Sequence, residues 1–148
     1  MQVESWAVHA SWLAERPGDY ARATRRKLMV GAFYSAADYV HAQQHRLRMI
    51  AAVNDAFRDA DVLLTANSMD PACRIDDEDA FARNFPRQAR SPFSLTGHPA
   101  IAFMCGLSKT GLPLSAQLVG RAHDEVTLLR AAAAYERASE WRTRRPPI

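Results

Sequence analysis

The sequence has little cysteine and little glycine, and each shortage excludes a class of site. Its two cysteines, Cys73 and Cys105, form no Cys-x-x-Cys pair, so neither a zinc knuckle nor a disulfide framework is predicted, and we expect reduced thiols. The 6 glycines form no Gly-rich phosphate-binding loop and no Gly-x-Ser-x-Gly motif. The composition therefore indicates neither nucleotide binding nor a nucleophile elbow.

Long apolar runs and lysines are also scarce. No run approaches the length of a membrane span, and residues 1–6 lack the pattern of a secretion signal, so we expect a cytoplasmic protein without membrane contact. The net charge is +3, but only Lys27 and Lys109 of the 19 basic residues are lysines, and the arginines are scattered except near the C-terminus. A nucleic-acid-binding protein is expected to show a denser basic stripe. Nucleic acid is therefore an unfavoured partner.

The remaining composition, 48% hydrophobic and 24% charged, is that of an ordinary soluble domain or part of one. The first half predicts three helices, over 3–16, 19–30 and 35–58. Gly31 suits the left-handed position that ends a helix, and Ser35 with Asp38 forms a capping box. One buried stripe is expected on the third helix, formed by Val40, Leu47, Ile50 or Ala51, and Phe57.

The second half predicts strands and a final helix. The continuously apolar run 61–66 indicates a strand buried on both faces, and a long irregular loop is expected over 67–92. Strands at 100–104 and 114–119 form either a hairpin or neighbours in a larger sheet. The last helix runs from Asp124 to about Trp141 before Pro146-Pro147. It is expected to bury some of Val126, Leu129, Ala132, Ala133 and Tyr135.

This order predicts an α/β fold with three helices, a strand, a long loop, two strands and a helix. Three strands alone would leave sheet edges uncovered, so part of the sheet is expected to be missing.

The residues that carry chemistry form no catalytic or metal-binding pattern. His41 and His45 are four apart on a helix, but no glutamate and no third ligand accompany them, which favours two surface histidines. The acidic run 76–79 is expected to be a solvated loop. Lys27 and Lys109 lie in polar surroundings, unlike the desolvated lysine of a Ser/Lys pair. We therefore predict no catalytic residue, no metal and no cofactor in this chain.

His98, in the turn Gly97-His98-Pro99, has two interpretations. Its ring either lines a pocket or hydrogen-bonds to the backbone of the turn, and the second arrangement is the more common for a turn histidine.

Two stretches of this sequence resemble the amidase signature family, which includes bacterial amidases, fatty acid amide hydrolase and the A-subunit of glutamyl-tRNA amidotransferase. They are Phe-Ser-Leu-Thr-Gly-His-Pro-Ala at 93–100 and Gly-Leu-Pro at 111–113 with Gln-Leu-Val-Gly at 117–120. Further positions similar to the family occur in the same order: Glu4, His9, Tyr20, Arg26, Leu28, Gly31, Asp38, Tyr39, Ala42, Arg46, the run 61–65 and Glu136. The resemblance covers nearly the whole chain but only the C-terminal portion of a family member.

The resemblance implies the C-terminal part of an amidase-signature mixed sheet flanked by helices, with 1–148 as a partial domain. The family's Ser–cis-Ser–Lys triad lies in segments that do not occur here, so the resemblance assigns no catalytic residue. It makes Thr65, Ala66, Thr96, Gly97 and Met104 candidates for lining the substrate cleft, although each could instead only shape the core.

The implied function is part of a hydrolase of small linear amides, inactive alone, that needs the missing N-terminal portion or a partner chain. Two alternatives stay open. One is a non-catalytic interaction module docked on such a partner, and the other is a piece of an amidotransferase A-subunit. Arg87 and Arg90 lie where such A-subunits tend to carry an acidic residue, which favours a general amidase.

Overall fold

The structure is a computed structural model that describes residues 1–145. Its secondary structure confirms the α/β class. The helices are α1 (Gln2–Glu15), α2 (Arg22–Met29), α3 (Ala36–Ala56), α4 (Glu78–Asn84), α5 (Ser91–Thr96) and α6 (Glu125–Ala138), and the strands are β1 (Val62–Ala66), β2 (Ala100–Leu107) and β3 (Pro113–Gly120). The chain divides into two compact units, Met1–Arg46 and the part that begins at Leu47. The predicted stop at Pro146-Pro147 lies outside the described residues.

Gly31 belongs to the first unit, and its predicted role is wrong. It lies in the 3-10 helix Val30–Phe33, and the described glycines with positive φ are Gly97 and Gly111 instead. A Cβ atom on Gly31 would lie 2.6 Å from the Cβ of Trp6 and closer still to the carbonyl oxygen of Gln2. Glycine is needed here because the backbone passes close to α1.

The capping box of α3 is confirmed, whereas its buried stripe is largely wrong. Asp38 Oδ2 accepts from the Ser35 N–H at 2.9 Å, and Ser35 Oγ accepts from the Asp38 N–H at 3.1 Å. Val40 and Leu47, however, are 52% and 66% exposed, and the deeply buried member is Phe57, just beyond the helix, at 1%. Helical periodicity marked an apolar face, but the described residues do not cover most of it.

The sheet is antiparallel, with the order β1-β3-β2. β2 and β3 form a hairpin, one of the two arrangements considered, and α6 packs against the sheet through a core of Leu118, Leu128 and Ala132. β1 is not buried on both faces as predicted, because Leu64 is 68% exposed. Within the described residues, β1 pairs with β3 alone and is an edge strand. An uninterrupted apolar run does not distinguish a central strand from an edge strand that lacks its neighbour.

Within α6, the prediction that some of five named apolar residues are buried is confirmed. Ala132 is buried, but Val126 and Leu129 are 68% and 56% exposed, and Leu128 enters the core in their place. The helix ends at Ala138 rather than near Trp141, which begins a separate 3-10 turn.

The predicted loop over 67–92 contains regular structure. The acidic run begins α4, where Asp77 caps the helix by accepting from the Ala80 N–H at 2.8 Å. Asp76 instead pairs with Arg74 at 2.7 Å. Pro92 lies in the first turn of the short helix α5, which ends at Gly97 with φ 80°. Two of the four acidic residues therefore have a local structural role, Asp77 as a helix cap and Asp76 in an ion pair.

Candidate functional site

A groove of about 770 Å³ lies beside the sheet in the second unit. One side is formed by the end of β1 and the start of β3, and the other by the segment 68–73 and α4. Its lining residues are Leu64, Thr65, Ala66, Ser68, Met69, Asp70, Pro71, Ala72, Cys73, Phe81, Asn84, Phe85, Gln88, Cys105, Pro113, Leu114, Ser115 and Ala116. A volume of this size suits a small organic ligand.

Hydrogen bonds hold the two ends of the segment that forms the outer wall. The Met69 N–H donates to the Arg87 carbonyl and the Arg90 N–H to the Asn67 carbonyl, both at 3.2 Å. Between them the Ser68 hydroxyl donates to Gln88 Oε1 at 3.2 Å. The segment 71–86, which carries α4, is therefore an excursion anchored at its base.

The groove is mainly apolar and carries a single charge among the described residues that line it. Met69, Phe81 and Phe85 are each about half exposed, with the two rings 5.2 Å apart. The charged residue is Asp70, and Arg87 Nε lies 3.0 Å from its Oδ2. Arg87 thus balances the charge of this carboxylate, but the buried Oδ2 atom of Asp70 has no hydrogen-bond partner among the described residues.

Both cysteines of the chain line this groove. Cys73 is half-buried in the segment that leaves β1, whereas Cys105 is exposed on β2. The Cys105 thiol contacts the Leu114 carbonyl at 3.6 Å, and both are free thiols, as predicted.

Apart from the groove, a polar cluster surrounds His98, which is only 6% exposed. Its Nδ1 lies 2.9 Å from Thr96 Oγ1 and its Nε2 lies 3.0 Å from Asn54 Oδ1, while the ring stacks on Phe57 at 5.8 Å. Burial lowers the pKa of this imidazole, because a charged ring is poorly solvated there. The predicted bond to the backbone of the turn is wrong, since His98 bonds to side chains and joins the segment after α5 to the end of α3.

Arg121 reinforces the same junction from the end of β3. Its Nη2 donates to the carbonyls of Phe57 and Ala60 at 2.5 and 3.0 Å, and its guanidinium lies 5.5 Å from the centre of the Phe57 ring. The cluster therefore fixes how the chain passes from α3 to β1.

The predicted cleft residues fall in three places. Thr65 and Ala66 line the groove, where the buried Gln117 donates from Nε2 to Thr65 Oγ1 at 3.0 Å and to the Ala66 carbonyl at 3.3 Å. Thr96 belongs to the His98 cluster, and Gly97 ends α5. Met104 lines a separate cavity of about 370 Å³ between β2 and α6. The structure thus brings together only the first two.

Sequence reasoning missed Asn54, Asn84 and Gln117. Gln117 had a detectable signal, because it is the amide side chain in the run Leu-Ser-Ala-Gln-Leu-Val, and it is 2% exposed. Asn54 and Asn84 had none, since each is a polar residue on a helix and only the tertiary fold places it beside a cluster or groove.

The residues weighed for other chemistry are all exposed. Lys27 on α2 and Lys109 in the β2–β3 turn are exposed, as are His41 and His45 on α3. Within residues 1–145, no three potential ligands are grouped as a metal would require. No helix in that range is long and apolar enough to cross a membrane.

Comparison with known proteins identifies the family. The model of the family described as Amidase matches residues 6–129, which is most of the chain. The chain belongs to the Amidase family. The match includes the groove, the His98 cluster and all three strands, so these features belong to the part of the chain that the family shares.

The Amidase-family chain is similar to proteins about three times its length. It is 36% identical over 138 residues to the A-subunit of the glutamyl-tRNA(Gln) amidotransferase of Brevibacillus brevis, covering 88% of this chain and 28% of that protein. It is also 36% identical to an amidase of Pseudomonas putida, covering 100% of this chain and 33% of that protein. The chain therefore spans about a third of the length of these relatives.

Solved structures show the same fold. A crystal structure of an amidase matches 93% of this chain and 33% of its own with a TM-score of 0.78 at 23% identity. A 6-aminohexanoate cyclic dimer hydrolase matches 98% of this chain and 34% of its own with a TM-score of 0.78 at 21% identity. These likenesses concern the fold, and they support the predicted amidase-signature architecture.

Proposed function

We propose that this chain, residues 1–148, is a partial amidase-signature domain that forms the C-terminal portion of a hydrolase of linear amides. The observation that carries the proposal is the family match over residues 6–129 in a chain that spans about a third of its relatives. In this proposal, the groove is part of the substrate cleft and Thr65 and Ala66 lie on its sheet side. Thr96, Gly97 and Met104 lie outside the groove, and we propose that they contribute to other parts of the cleft in the complete enzyme.

We propose that the chain is inactive alone. It holds no motif of a serine nucleophile, and its two lysines are exposed on the surface rather than desolvated beside one. The attack on the amide carbonyl and the release of ammonia or an amine are therefore assigned to groups of the missing portion or of a partner chain. We also propose that the assembled enzyme is cytoplasmic and does not bind nucleic acid.

The open edge of β1 is the proposed contact with that portion. β1 pairs with β3 on one side, and its Leu64 is 68% exposed. The other edge of the sheet differs, since the turn Trp141–Thr143 packs against β2 and the Tyr135 hydroxyl donates to the Met104 carbonyl at 3.2 Å. A further strand would therefore join at β1, where main-chain groups can still extend the sheet.

Mixing the chain with the N-terminal two-thirds of the Pseudomonas putida amidase tests this proposal. We expect the two pieces to co-elute on size exclusion and to hydrolyse amides together. Leu64→Lys should prevent co-elution, because a charge on an edge strand opposes strand addition. Val126→Lys is the matched control, since Val126 is also 68% exposed but lies on α6. Failure of the wild-type chain to associate, or equal loss in both variants, would refute the assigned edge.

A piece of an amidotransferase A-subunit is the second candidate. Its support is the 36% identity to the Brevibacillus brevis protein, which equals the identity to the Pseudomonas putida amidase. The mixture of the two pieces distinguishes the candidates. Faster release of ammonia from glutamine than from a simple linear amide would support the amidotransferase. A third possibility, a non-catalytic interaction module, requires association without any hydrolysis.

A further inference from the structure

We propose that this chain binds a second copy of itself, with the acidic turn before α4 of one copy docked in an apolar groove between α1 and α2 of the other. The inference goes beyond the proposed function, because it concerns self-association and uses neither the groove beside β1 nor the edge of that strand. Each copy supplies both of the surfaces that the contact needs.

The receiving surface is a groove of about 410 Å³ in the first unit, here named the α1–α2 groove. Its lining residues are Trp6, Ala10, Leu13, Ala14, Pro17, Arg25 and Met29. The four residues from α1 follow the spacing i, i+4, i+7 and i+8, so they form one apolar face of that helix. Arg25 is the charged member of the lining, and its Nη1 donates to the Pro17 carbonyl at 3.1 Å. The groove thus combines an apolar surface with a positioned guanidinium group.

A basic face of α2 includes two of these lining residues. It consists of residues at the spacing i, i+3, i+4 and i+7, which are Arg22, Arg25, Arg26 and Met29. Arg22 and Arg26 are exposed, and neither forms an ion pair within residues 1–145. α2 contains no acidic residue that could offset their charge. An acidic segment with an apolar anchor would therefore complement this face and the groove beside it.

The turn before α4 has this composition. Ile75 is fully exposed, and the four acidic residues 76–79 follow it directly. The first two carboxylates make contacts within the turn, whereas Glu78 and Asp79 are exposed and form no ion pair within the described part of the chain. A branched apolar side chain beside two uncompensated carboxylates is the chemical complement of the α1–α2 groove and its basic border.

The two surfaces also agree in scale. Arg22 and Met29 lie about 10 Å apart along the axis of α2. Ile75 and Asp79 lie at most about 14 Å apart, because they are separated by four steps of the chain. One contact can therefore bury Ile75 in the groove while Glu78 and Asp79 face the arginines. Burial of the isoleucine removes apolar surface from water, and the opposite charges add an attraction that salt screens.

Sedimentation velocity of the full 148-residue chain measures this association. The mean mass should rise with protein concentration at about 0.1 M NaCl, and association should be at least about tenfold weaker at about 1 M, because the Debye length falls from about 10 Å to about 3 Å. Association through the edge of β1 or through apolar contacts alone would instead persist at high salt. Leu64→Lys, which alters that edge, should self-associate as wild type does.

Charge reversal identifies the two surfaces. Arg22→Glu combined with Arg26→Glu should abolish self-association, because the groove border then repels the acidic turn. Glu78→Arg combined with Asp79→Arg should abolish it from the other side. Mixing the two double variants should restore association, because each then presents the charge that the other attracts. Circular dichroism establishes that each double variant is folded.

The apolar anchor and the controls complete the design. Ile75→Ser should weaken association at least about tenfold, because it removes the side chain that enters the groove. Val126→Ser is its matched control, since Val126 is also exposed but lies on α6. Arg130→Glu combined with Arg137→Glu is the control for charge, because both arginines are exposed on α6. Both controls should associate as wild type does.

The outcomes separate this inference from the proposed function. A wild-type chain that stays monomeric would overturn the proposal and assign the α1–α2 groove to another occupant, such as the missing portion or a different protein. Association that survives both charge reversals, or a mixture of the two double variants that stays monomeric, would overturn it as well. Restored association in the mixture would uphold it, even if the complemented enzyme hydrolyses no amide.

Discussion

Replacing His98 with alanine should cost the second unit about 2 to 4 kcal/mol of unfolding free energy. The ring makes two polar contacts, to Thr96 at 2.9 Å and to Asn54 at 3.0 Å, and each hydrogen bond contributes about 1 kcal/mol net. Its stacking on Phe57 at 5.8 Å adds about 0.5 to 1.5 kcal/mol. The small cavity left at a side chain that is 6% exposed accounts for the upper end of the range.

Urea unfolding followed by circular dichroism measures this loss, and amide exchange of β2 locates it in the second unit. His41→Ala is the matched control, because His41 is exposed on α3 and its loss should change the free energy of unfolding by no more than about 0.5 kcal/mol. Equal effects of the two substitutions, or amide exchange in β2 that is unchanged in His98→Ala, would refute the structural role of the His98 cluster.

Three further predictions concern pH and packing. Burial lowers the pKa of His98 below its ordinary value of 6.5, so the neutral ring stabilises the fold above about pH 6.5. This stability should be lost as the pH falls toward the depressed pKa. Urea midpoints measured across pH 5 to 8 should show the loss in wild type and not in His98→Ala. Gly31→Ala should destabilise the first unit by about 1 to 3 kcal/mol because its Cβ would collide with α1, whereas Gly18→Ala, with open space around the new atom, should cost far less in thermal melts. Arg121→Ala should lower the urea midpoint by the equivalent of about 1 to 3 kcal/mol, since it leaves the Phe57 and Ala60 carbonyls without this donor, and an unchanged midpoint would contradict that role.

Local signals allowed much of the fold to be predicted from the sequence. Ser35 and Asp38 fixed the start of α3, Asp124 fixed the start of α6, and Gly111 lies in the turn of the β2–β3 hairpin, because caps and turns depend on a few neighbouring residues. The helix α4 was missed because the acidic run suggested repulsion, although Asp77 caps it and negative charge suits a helix N-terminus.

Burial and the site were less predictable, because both depend on contacts between distant segments. Leu64 and Val40 look like core residues in the sequence, yet both are exposed. The requirement for glycine at position 31 becomes clear only from the position of α1. The groove combines β1, β3 and α4, and the His98 cluster joins Asn54 to His98 across 44 positions. No periodicity encodes such contacts, so only Thr65 and Ala66, drawn from a family resemblance, fell in the groove.

The most direct test of the central claim is an amide hydrolysis assay on the purified 148-residue chain without any partner. We expect no release of ammonia or amine above the uncatalysed rate, because the proposed role of the chain is to supply cleft wall and sheet but no nucleophile. Hydrolysis by the chain alone that is abolished by substituting one of its own serines would contradict the account.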